Sequence, residues 1–219
     1  MKVSFQTKRQ LATEELRHAI RIGRYEPGQA LRQNDVAADL GLSSTPVREA
    51  FSELMAAGLV NYEQHRGTRV ATMDVARIKQ IYTARKIIET QTSKLAFENI
   101  TEAEVDELHV RVEQMAVYAR AGRFEELVKV DEEFHLQIFA ASRNEYLVAA
   151  VRNLWNSFPR YFMWNIGARI DEAVAEHRRM IEFLYARDEA AFLATVSEHL
   201  DHSLETILSR IGEDGILDV

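Results

Sequence analysis

Apolar side chains recur at helical spacing in the first third of the chain, and the pattern then changes to the alternation of a β-hairpin. Apolar residues three to four apart predict an opening helix that starts near Leu11 and ends before Gly23. Two further short helices are predicted within residues 33–57, joined by a turn at Gly41. Alternating β-prone residues around a glycine-containing connection predict a hairpin over residues 59–71. This order of elements is typical of a helix-turn-helix followed by a wing.

From Asp74 onward the spacing is that of long helices. Thr101 and Glu104 form the pattern of a capping box at the start of the second long helix. Helices are predicted at about 75–95, 101–121, 124–142, 144–166, 170–187 and 189–211, and residues 212–219 are expected to fray. We therefore predict a mostly α protein with two domains. Residues 1–73 form a winged helix-turn-helix with a small β-hairpin wing, and residues 74–219 form an all-α domain.

Composition and charge limit the function classes. The 219 residues include no cysteine, which excludes disulfides and metal sites built from thiolates. No apolar run is long enough to cross a membrane, and the first ten residues lack the apolar core of a signal peptide, so we expect a cytoplasmic protein with no membrane partner. Residues 1–73 hold 10 Lys/Arg against 8 Asp/Glu, whereas residues 74–219 hold 17 against 26. A mildly basic part joined to an acidic one suits a DNA-reading module with a partner domain that stays off DNA, although so small an excess also arises by chance.

The predicted helix-turn-helix and wing have side chains suited to DNA. Residues 41–50 place hydroxyl groups and Arg48 in the opening turns of the second helix, where a recognition helix contacts base edges. Arg66 and Arg69 flank the wing near Gly67, where they can contact phosphates or enter a minor groove. An ordinary helical hairpin is the alternative for the two helices alone. The adjoining wing favours DNA binding.

Residues 8–71 resemble the winged-helix domain of the GntR family of bacterial transcription regulators. The shared residues are Gly23, Pro27-Gly28, Leu31, Val36-Ala37, Gly41-Leu42-Ser43, Thr45-Pro46-Val47-Arg48-Glu49-Ala50, Leu54, Gly58-Leu59-Val60, Arg66-Gly67 and Val70. In that family the arginine matching Arg48 reads guanine in the major groove, and the wing glycine approaches the minor groove. Ser44 stands where the family usually has arginine and Gln33 where it often has glutamate, so we expect an operator that differs from the commonest family sequences. The predicted DNA-contacting residues are Arg32, Ser44, Thr45, Pro46, Arg48, Arg66, Gly67 and Arg69.

Three histidines and one carboxylate in the helical part are candidate metal ligands. Asp131 and His135 are four residues apart on one predicted helix, so both side chains project from the same face. His177 and His199 lie on later helices. Three imidazoles with one carboxylate suit a borderline cation such as Zn²⁺, Ni²⁺ or Mn²⁺. By spacing alone, an ordinary surface or core role remains the better interpretation of any single histidine.

The same stretch is similar to the FCD domain, the effector domain of the FadR-type branch of the GntR family. The similar residues are Asp131, Phe134-His135, Ile138, Ala141, Asn144, Leu147, Glu176-His177, Asp188, Ala191 and His199-Leu200. In metal-binding members, the residues that match Asp131, His135, His177 and His199 hold the ion inside an antiparallel helical bundle. The remaining coordination positions take water or a small carboxylate effector. His202, three residues after His199, is a rival ligand on nearly the same face.

Arg85 and Glu89 match the Arg-x-x-x-Glu pattern of the first helix of that domain. One interpretation is a solvated ion pair that stabilises the helix by roughly 0.3–0.5 kcal/mol. The other is that the guanidinium of Arg85 binds the carboxylate of the effector. The two interpretations are equally supported by the sequence. Further residues that can line the same cavity are Arg152, Trp155, Arg160, Tyr161 and Trp164.

The favoured function is a homodimeric transcription regulator, not an enzyme, that responds to a metabolite and binds a pseudo-palindromic operator in double-stranded DNA. The first alternative is a mononuclear metal-dependent hydrolase, in which open coordination positions activate water. The second is a structural helical bundle with no bound metal. The sequence leaves open the effector, the metal, the operator and the choice between repression and activation.

Overall fold

The computed structural model describes residues 7–21, 23–72, 74–156, 167–209 and 211. Its N-terminal part contains three helices and a small sheet. The helices are α1 (Lys8–Arg21), α2 (Gln33–Asp39) and α3 (Ser44–Ala56). The strands are β1 (Ala30–Leu31), β2 (Val60–Glu63) and β3 (Gly67–Val70). The hairpin of β2 and β3 follows α3 directly, so the wing lies beside the recognition helix.

The sheet has one strand more than the sequence predicts. It is antiparallel with the order β1-β3-β2, and Ala30 and Leu31 pair with Arg69 and Thr68. A strand of two residues is too short to show alternation, so periodicity could not detect it. Its position fixes one edge of the wing to the chain that enters α2.

The turn between α2 and α3 depends on a glycine. Gly41 has a φ of +64°, in the left-handed region that other residues rarely adopt. Ser43 then lies at the N-cap of α3 in an extended conformation, and Pro46 lies in the first turn, where its missing N–H is not needed. The core beneath the two helices includes Leu16, Leu54 and Leu59, all nearly inaccessible to solvent.

In the residues that the structure describes, the C-terminal part is built of long helices, and the predicted fold class is confirmed. Its helices are α4 (Val75–Asn99), α5 (Glu102–Arg120), α6 (Phe124–Ala141), α7 (Glu145–Asn156), α8 (Gly167–Ala186) and α9 (Glu189–Leu208). Helix α4 packs on α6, α7 and α9, while α5 packs on α6 and α8. The predicted capping box is confirmed, because Thr101 and Glu104 bond reciprocally at the start of α5. Within the described residues, no helix is long and apolar enough for a membrane span.

Several predicted boundaries differ from those observed. Helix α4 continues to Asn99 rather than 95, and α8 begins at Gly167 rather than 170. Helix α9 ends at Leu208 rather than 211. The second half of the predicted helix 144–166 lies outside the described residues, as does the predicted tail at 212–219.

A hydrogen bond between Arg77 and Gly58 joins the two parts directly. Nη2 of Arg77, in the first turn of α4, donates to the backbone oxygen of Gly58 at 3.0 Å. Gly58 follows α3 closely and has a φ of +73°. A side chain there would also overlap Arg77, since an added Cβ would lie 2.1 Å from Nη2. The recognition helix is therefore tied at its C-terminal end to the first long helix of the second part.

Candidate DNA-binding surface and metal centre

A cleft of about 630 Å³ lies between α3 and the wing. Its lining includes these predicted DNA-contacting residues: Arg32, Arg48, Arg66, Gly67 and Arg69. Four guanidinium groups on one face suit the contacts to backbone phosphates that position a protein on DNA. Arg48 is exposed on α3, as direct readout of a base edge requires.

The remaining three predicted contacts lie in the first turn of α3. Thr45 is exposed and Ser44 is half-buried, whereas Pro46 is buried. The Pro46 ring therefore shapes the start of the helix and does not reach the surface that the other residues share. Gln33 donates its side-chain amide to the backbone oxygen of Ser44 at 2.6 Å, which ties α2 to the start of α3.

The two wing arginines are held differently. Arg66 is 72% exposed, and its Nη1 lies 3.6 Å from Oε2 of Glu63. Arg69 is 33% exposed and donates from Nη1 to the backbone oxygen of Gly28 at 2.6 Å. Arg69 thus braces the wing against the preceding loop. Arg66 is the more available of the two for a phosphate.

Three helices bring the predicted metal ligands together in the interior of the C-terminal part. Helix α6 contributes Asp131 and His135, α8 contributes His177, and α9 contributes His199. One potential ligand atom from each histidine lies within 4.8 Å of the other two. Oδ1 of Asp131 lies 3.5 Å from Nε2 of His135 and 3.8 Å from Nε2 of His177. These four side chains are called the His–Asp cluster below.

The spacing of the nitrogen atoms fits a single bound cation. The Nε2 atoms of His135 and His177 are 3.1 Å apart. Two nitrogens bound to one ion at about 2.0–2.1 Å, with an angle of about 90–110° between the bonds, lie roughly 2.9–3.4 Å apart. The donor set of imidazole nitrogen and carboxylate oxygen also suits Zn²⁺, Ni²⁺ or Mn²⁺. The residues present therefore fit a divalent metal ion.

The electrostatics of the His–Asp cluster favour the neutral imidazole at His177 and His199. His177 is fully buried, and burial together with the neighbouring His135 and His199 lowers its pKa well below the usual value. Burial also lowers the pKa of His199 to about 4, although its hydrogen bond to Glu176 opposes that change. A neutral imidazole keeps one nitrogen lone pair, which is the form that binds a metal ion.

Outside the His–Asp cluster, a buried carboxylate contacts His199. Oε2 of Glu176 lies 2.6 Å from Nδ1 of His199, and Oε1 lies 2.7 Å from Nδ1 of His202. Arg169 donates to Oε2 of Glu176 at 2.9 Å. Burial alone would raise the pKa of Glu176, but hydrogen bonds from His199, Arg169 and His202 hold it well below its usual range. The rival ligand His202 is 47% exposed on this outer side, so the structure brings His199 into the cluster instead.

Arg85 and Glu89 are buried, so the interpretation as a solvated pair is wrong. Their side chains are each 4% exposed, and Nε of Arg85 donates to Oε1 of Glu89 at 2.7 Å. Nε1 of Trp155 donates to the same oxygen at 2.7 Å. Burial would raise the pKa of Glu89, but Arg85 and Trp155 outweigh it and lower that pKa. The Trp155 ring meets the His135 ring edge-on at 5.7 Å between centroids, so the pair adjoins the His–Asp cluster.

Of the other residues predicted to line the cavity, Arg152 is exposed. The remaining three, Arg160, Tyr161 and Trp164, lie outside the described residues. Arg169 was missed by sequence reasoning, although it is buried beside His199. No spacing rule marks it, because its contacts depend on how α8 packs against α9.

Comparison with known proteins matches both parts of the chain. Residues 8–70 match the model of the bacterial regulatory proteins of the gntR family, and residues 80–202 match the FCD domain. The chain is 28% identical over 197 residues to the Nta operon transcriptional regulator of Aminobacter aminovorans, and the match covers 86% of this chain and 91% of that protein. It is 26% identical over 220 residues to the HTH-type transcriptional regulator LutR of Bacillus subtilis (strain 168), covering 90% and 99%.

The fold recurs in solved structures. The structure of E. coli McbR/YncC superimposes with a TM-score of 0.82 at 23% identity, and the match covers 92% of this chain and 97% of that one. The two relatives are transcriptional regulators and not hydrolases, which favours the regulator over the hydrolase alternative. The chain therefore belongs to the GntR family of bacterial regulatory proteins, as a transcriptional regulator with an FCD domain after its winged helix.

Proposed function

We propose that this regulator binds its operator under the control of a small carboxylate metabolite, which binds at a divalent metal ion held by the His–Asp cluster. The observation that supports this most strongly is the convergence of three buried imidazoles and one carboxylate inside a domain that has no thiolate to offer. Burying these polar groups is unfavourable unless they have partners, and a metal ion satisfies several of them at once.

The metal-binding residues in this proposal are Asp131, His135, His177 and His199. A bound Zn²⁺, Ni²⁺ or Mn²⁺ would supply the positive charge that attracts a carboxylate into a domain rich in acidic residues. The protein side chains orient the ligand atoms and exclude bulk water. Phe134 packs on this cluster with its ring centroid 4.6 Å from that of His177. This packing restricts the imidazole to one orientation.

Arg85 is the residue proposed to recognise the effector carboxylate. Its guanidinium lies over the Tyr82 ring at 4.6 Å and is paired with Glu89. A carboxylate that enters next to His135 would meet this guanidinium and compete with Glu89 for it. Because Trp155 also contacts Glu89, such competition would disturb the packing between α4 and α7. This gives the effector a physical means to favour one arrangement of the domain over another.

On the DNA side, we propose a homodimer that binds a pseudo-palindrome through two winged helices of residues 1–73, with residues 74–219 as the effector domain. In this proposal, Arg48 reads a base in the major groove, while Arg32 and Arg66 contact phosphates around it. The hydrogen bond from Arg77 to Gly58 provides a contact through which the two domains can be coupled. Coupling requires that the effector bind the DNA-compatible and incompatible arrangements with different affinities.

The test begins with selection of genomic fragments by the purified protein, which identifies the operator. Release of that operator is then measured by fluorescence anisotropy with a panel of small mono-, di- and tricarboxylates. Wild-type protein is compared with His135→Ala, His177→Ala and the exposed control His109→Ala. We expect one carboxylate class to change operator affinity in the wild type and in His109→Ala only. An undiminished response in both cluster variants would exclude the proposed role of the metal, and no response of the wild type to any carboxylate would leave the structural bundle as the better account.

A further inference from the structure

Glu176 is a buried carboxylate that faces two histidines in opposite directions. It is 3% exposed and lies on α8, directly before His177 of the His–Asp cluster. Oε2 points inward and accepts from Nδ1 of His199, whereas Oε1 meets His202 at the edge of an outer pocket of about 470 Å³. Glu176 thus lies between the buried cluster and the solvent-exposed side of α8 and α9.

Arg169 holds this carboxylate in place, and Ser203 in turn contacts Arg169. Nη2 of Arg169 lies 2.9 Å from Oε2 of Glu176 and 3.1 Å from Oγ of Ser203. The Ser203 hydroxyl in turn donates to the backbone oxygen of His199 at 2.7 Å. Glu176, Arg169, Ser203 and His199 are each at most 5% exposed as whole residues. A buried guanidinium paired with a buried carboxylate keeps the charge of each compensated, and it fixes their geometry.

The contact to His199 determines which of its nitrogen atoms can bind a metal ion. A carboxylate only accepts hydrogen bonds, so Nδ1 of His199 must carry the proton. Its Nε2 then keeps the lone pair and is the nitrogen available to a cation shared with His135 and His177. Such a carboxylate also makes the imidazole a stronger ligand, because the negative charge stabilises the partial positive charge on the coordinated ring.

We propose that Glu176 is a positioning residue of the metal centre, which fixes the tautomer and orientation of His199 and is itself anchored by Arg169 and Ser203. This proposal rests on the proposed metal-binding function. It assigns Glu176 no direct bond to the ion, and it makes the affinity for metal depend on a side chain outside the set of ligands.

The test is a titration of metal-free protein with Co²⁺, followed through the visible spectrum of the bound ion, which reports coordination geometry. Glu176→Gln keeps the size of the side chain but removes the charge, and the amide can donate to Nδ1 as readily as accept from it. Glu172→Gln is the matched control, because it removes the same charge one turn earlier on α8, from an exposed residue of the same outer pocket. We expect Glu176→Gln to weaken Co²⁺ binding by about 10- to 100-fold and to change the spectrum. Glu172→Gln should change neither.

The outcomes separate this proposal from the metal-binding function itself. Wild-type affinity and an unchanged spectrum in Glu176→Gln would overturn the positioning role and leave the metal site intact. Equal losses in both variants would also overturn it, since they would reflect only the lost negative charge. Absence of Co²⁺ binding to the wild type would overturn the proposed function together with this inference.

A second variant covers the case in which Glu176→Gln does not fold. Arg169→Lys keeps the buried positive charge but loses the guanidinium that contacts both Glu176 and Ser203. We expect a smaller loss of Co²⁺ affinity, about 3- to 10-fold, because Glu176 is held less firmly. Circular dichroism checks that the helices are retained. An affinity equal to that of the wild type in the folded Arg169→Lys protein would contradict the anchoring role.

Discussion

The two halves of this regulator place their functional side chains in opposite environments. In the winged half, Arg48 is exposed and Arg66 is 72% exposed. In the helical half, His177 is fully buried, and the other two cluster histidines are at most 7% exposed. A surface set of cations suits a large polyanion, whereas a buried set of imidazoles is accessible only to a small ion or molecule.

This difference predicts how function and stability are related in each half. Exposed arginines can be replaced with little effect on the free energy of unfolding, because they make few contacts inside the protein. Buried polar groups take part in both packing and chemistry, so replacing one changes stability together with ligand binding. Replacing an ion-paired arginine should therefore change the free energy of unfolding much more when the pair is buried than when it is exposed.

The largest effect is expected from the buried ion pair of Arg85 and Glu89. Arg85→Ala leaves the Glu89 carboxylate buried, with its hydrogen bond from Nε1 of Trp155 but without the positive charge that it is paired with. We expect a loss of about 3–5 kcal/mol in the free energy of unfolding, measured by urea denaturation. The control is Arg178→Ala, which removes an exposed pair with Glu113 and should cost about 0–1 kcal/mol. Similar losses for the two variants would contradict the contrast between buried and exposed arginines.

Metal removal is expected to have the next largest effect, confined to the helical half. When the free ion concentration is about 1,000 times the dissociation constant, binding stabilises the folded state by about 4 kcal/mol. For a chain of this size that corresponds to a decrease in Tm of roughly 8–16 °C when a chelator is added. Differential scanning calorimetry with and without chelator measures this change. His135→Ala should show the lower Tm already and no further decrease with chelator, and a chelator effect of full size in that variant would place the ion elsewhere.

Arg48→Ala tests the exposed half directly. We expect operator binding to weaken by about 1–3 kcal/mol, with relaxed base preference at one position in each half-site. Binding to a set of single-base operator variants measures both quantities. The Tm should stay within about 1 °C of the wild type, because the side chain is exposed. If Arg48→Ala left the base preference intact, the assignment of α3 as the reading helix would be wrong.

The smallest effect is expected at the tip of the wing. Arg66→Ala should weaken binding evenly across operator sequences and reduce the slope of log K against log [salt] by about 1, as expected for the loss of one phosphate contact. Arg69→Ala is the comparison variant. Arg69 donates a hydrogen bond to the backbone oxygen of Gly28, so its replacement should lower the stability of the wing as well as the affinity for DNA. Salt titrations of operator and non-operator DNA distinguish the two. An unchanged salt slope in Arg66→Ala would contradict a phosphate contact.

Much of the fold could be predicted because its signals are local. The glycine turn at Gly41, the capping box at Thr101 and the hairpin around Gly67 each depend on residues within a few positions of one another. The strand Ala30–Leu31 was not predicted, because two residues are too few to show the alternation of apolar and polar side chains that marks a strand. Helix ends were displaced by a few residues, with α4 and α8 longer than predicted and α9 shorter, because helix ends fray and the periodic pattern does not mark them sharply.

The candidate site could be predicted only in part. The i, i+4 spacing of Asp131 and His135 placed two side chains on one face. His177 and His199 were candidates because they lie on later predicted helices, and the family resemblance then favoured a site made of all four residues. The contacts of Glu176 and Arg169 depend on the packing of α8 against α9, which no spacing rule describes. The burial of Arg85 could not be predicted either, because an i, i+4 ion pair has the same sequence pattern on the surface and in the core.

The central claim is that the His–Asp cluster holds a metal ion, and metal content tests it most directly. Wild type, His177→Ala and His109→Ala are purified, stripped with chelator, incubated with a mixture of Zn²⁺, Ni²⁺ and Mn²⁺, desalted and measured by inductively coupled plasma mass spectrometry. His109 is exposed on α5, away from the His–Asp cluster, and serves as the matched histidine control. The account predicts about one ion per chain in the wild type and in His109→Ala, and a large loss in His177→Ala. Full occupancy in His177→Ala, or no retained ion in the wild type, would contradict it.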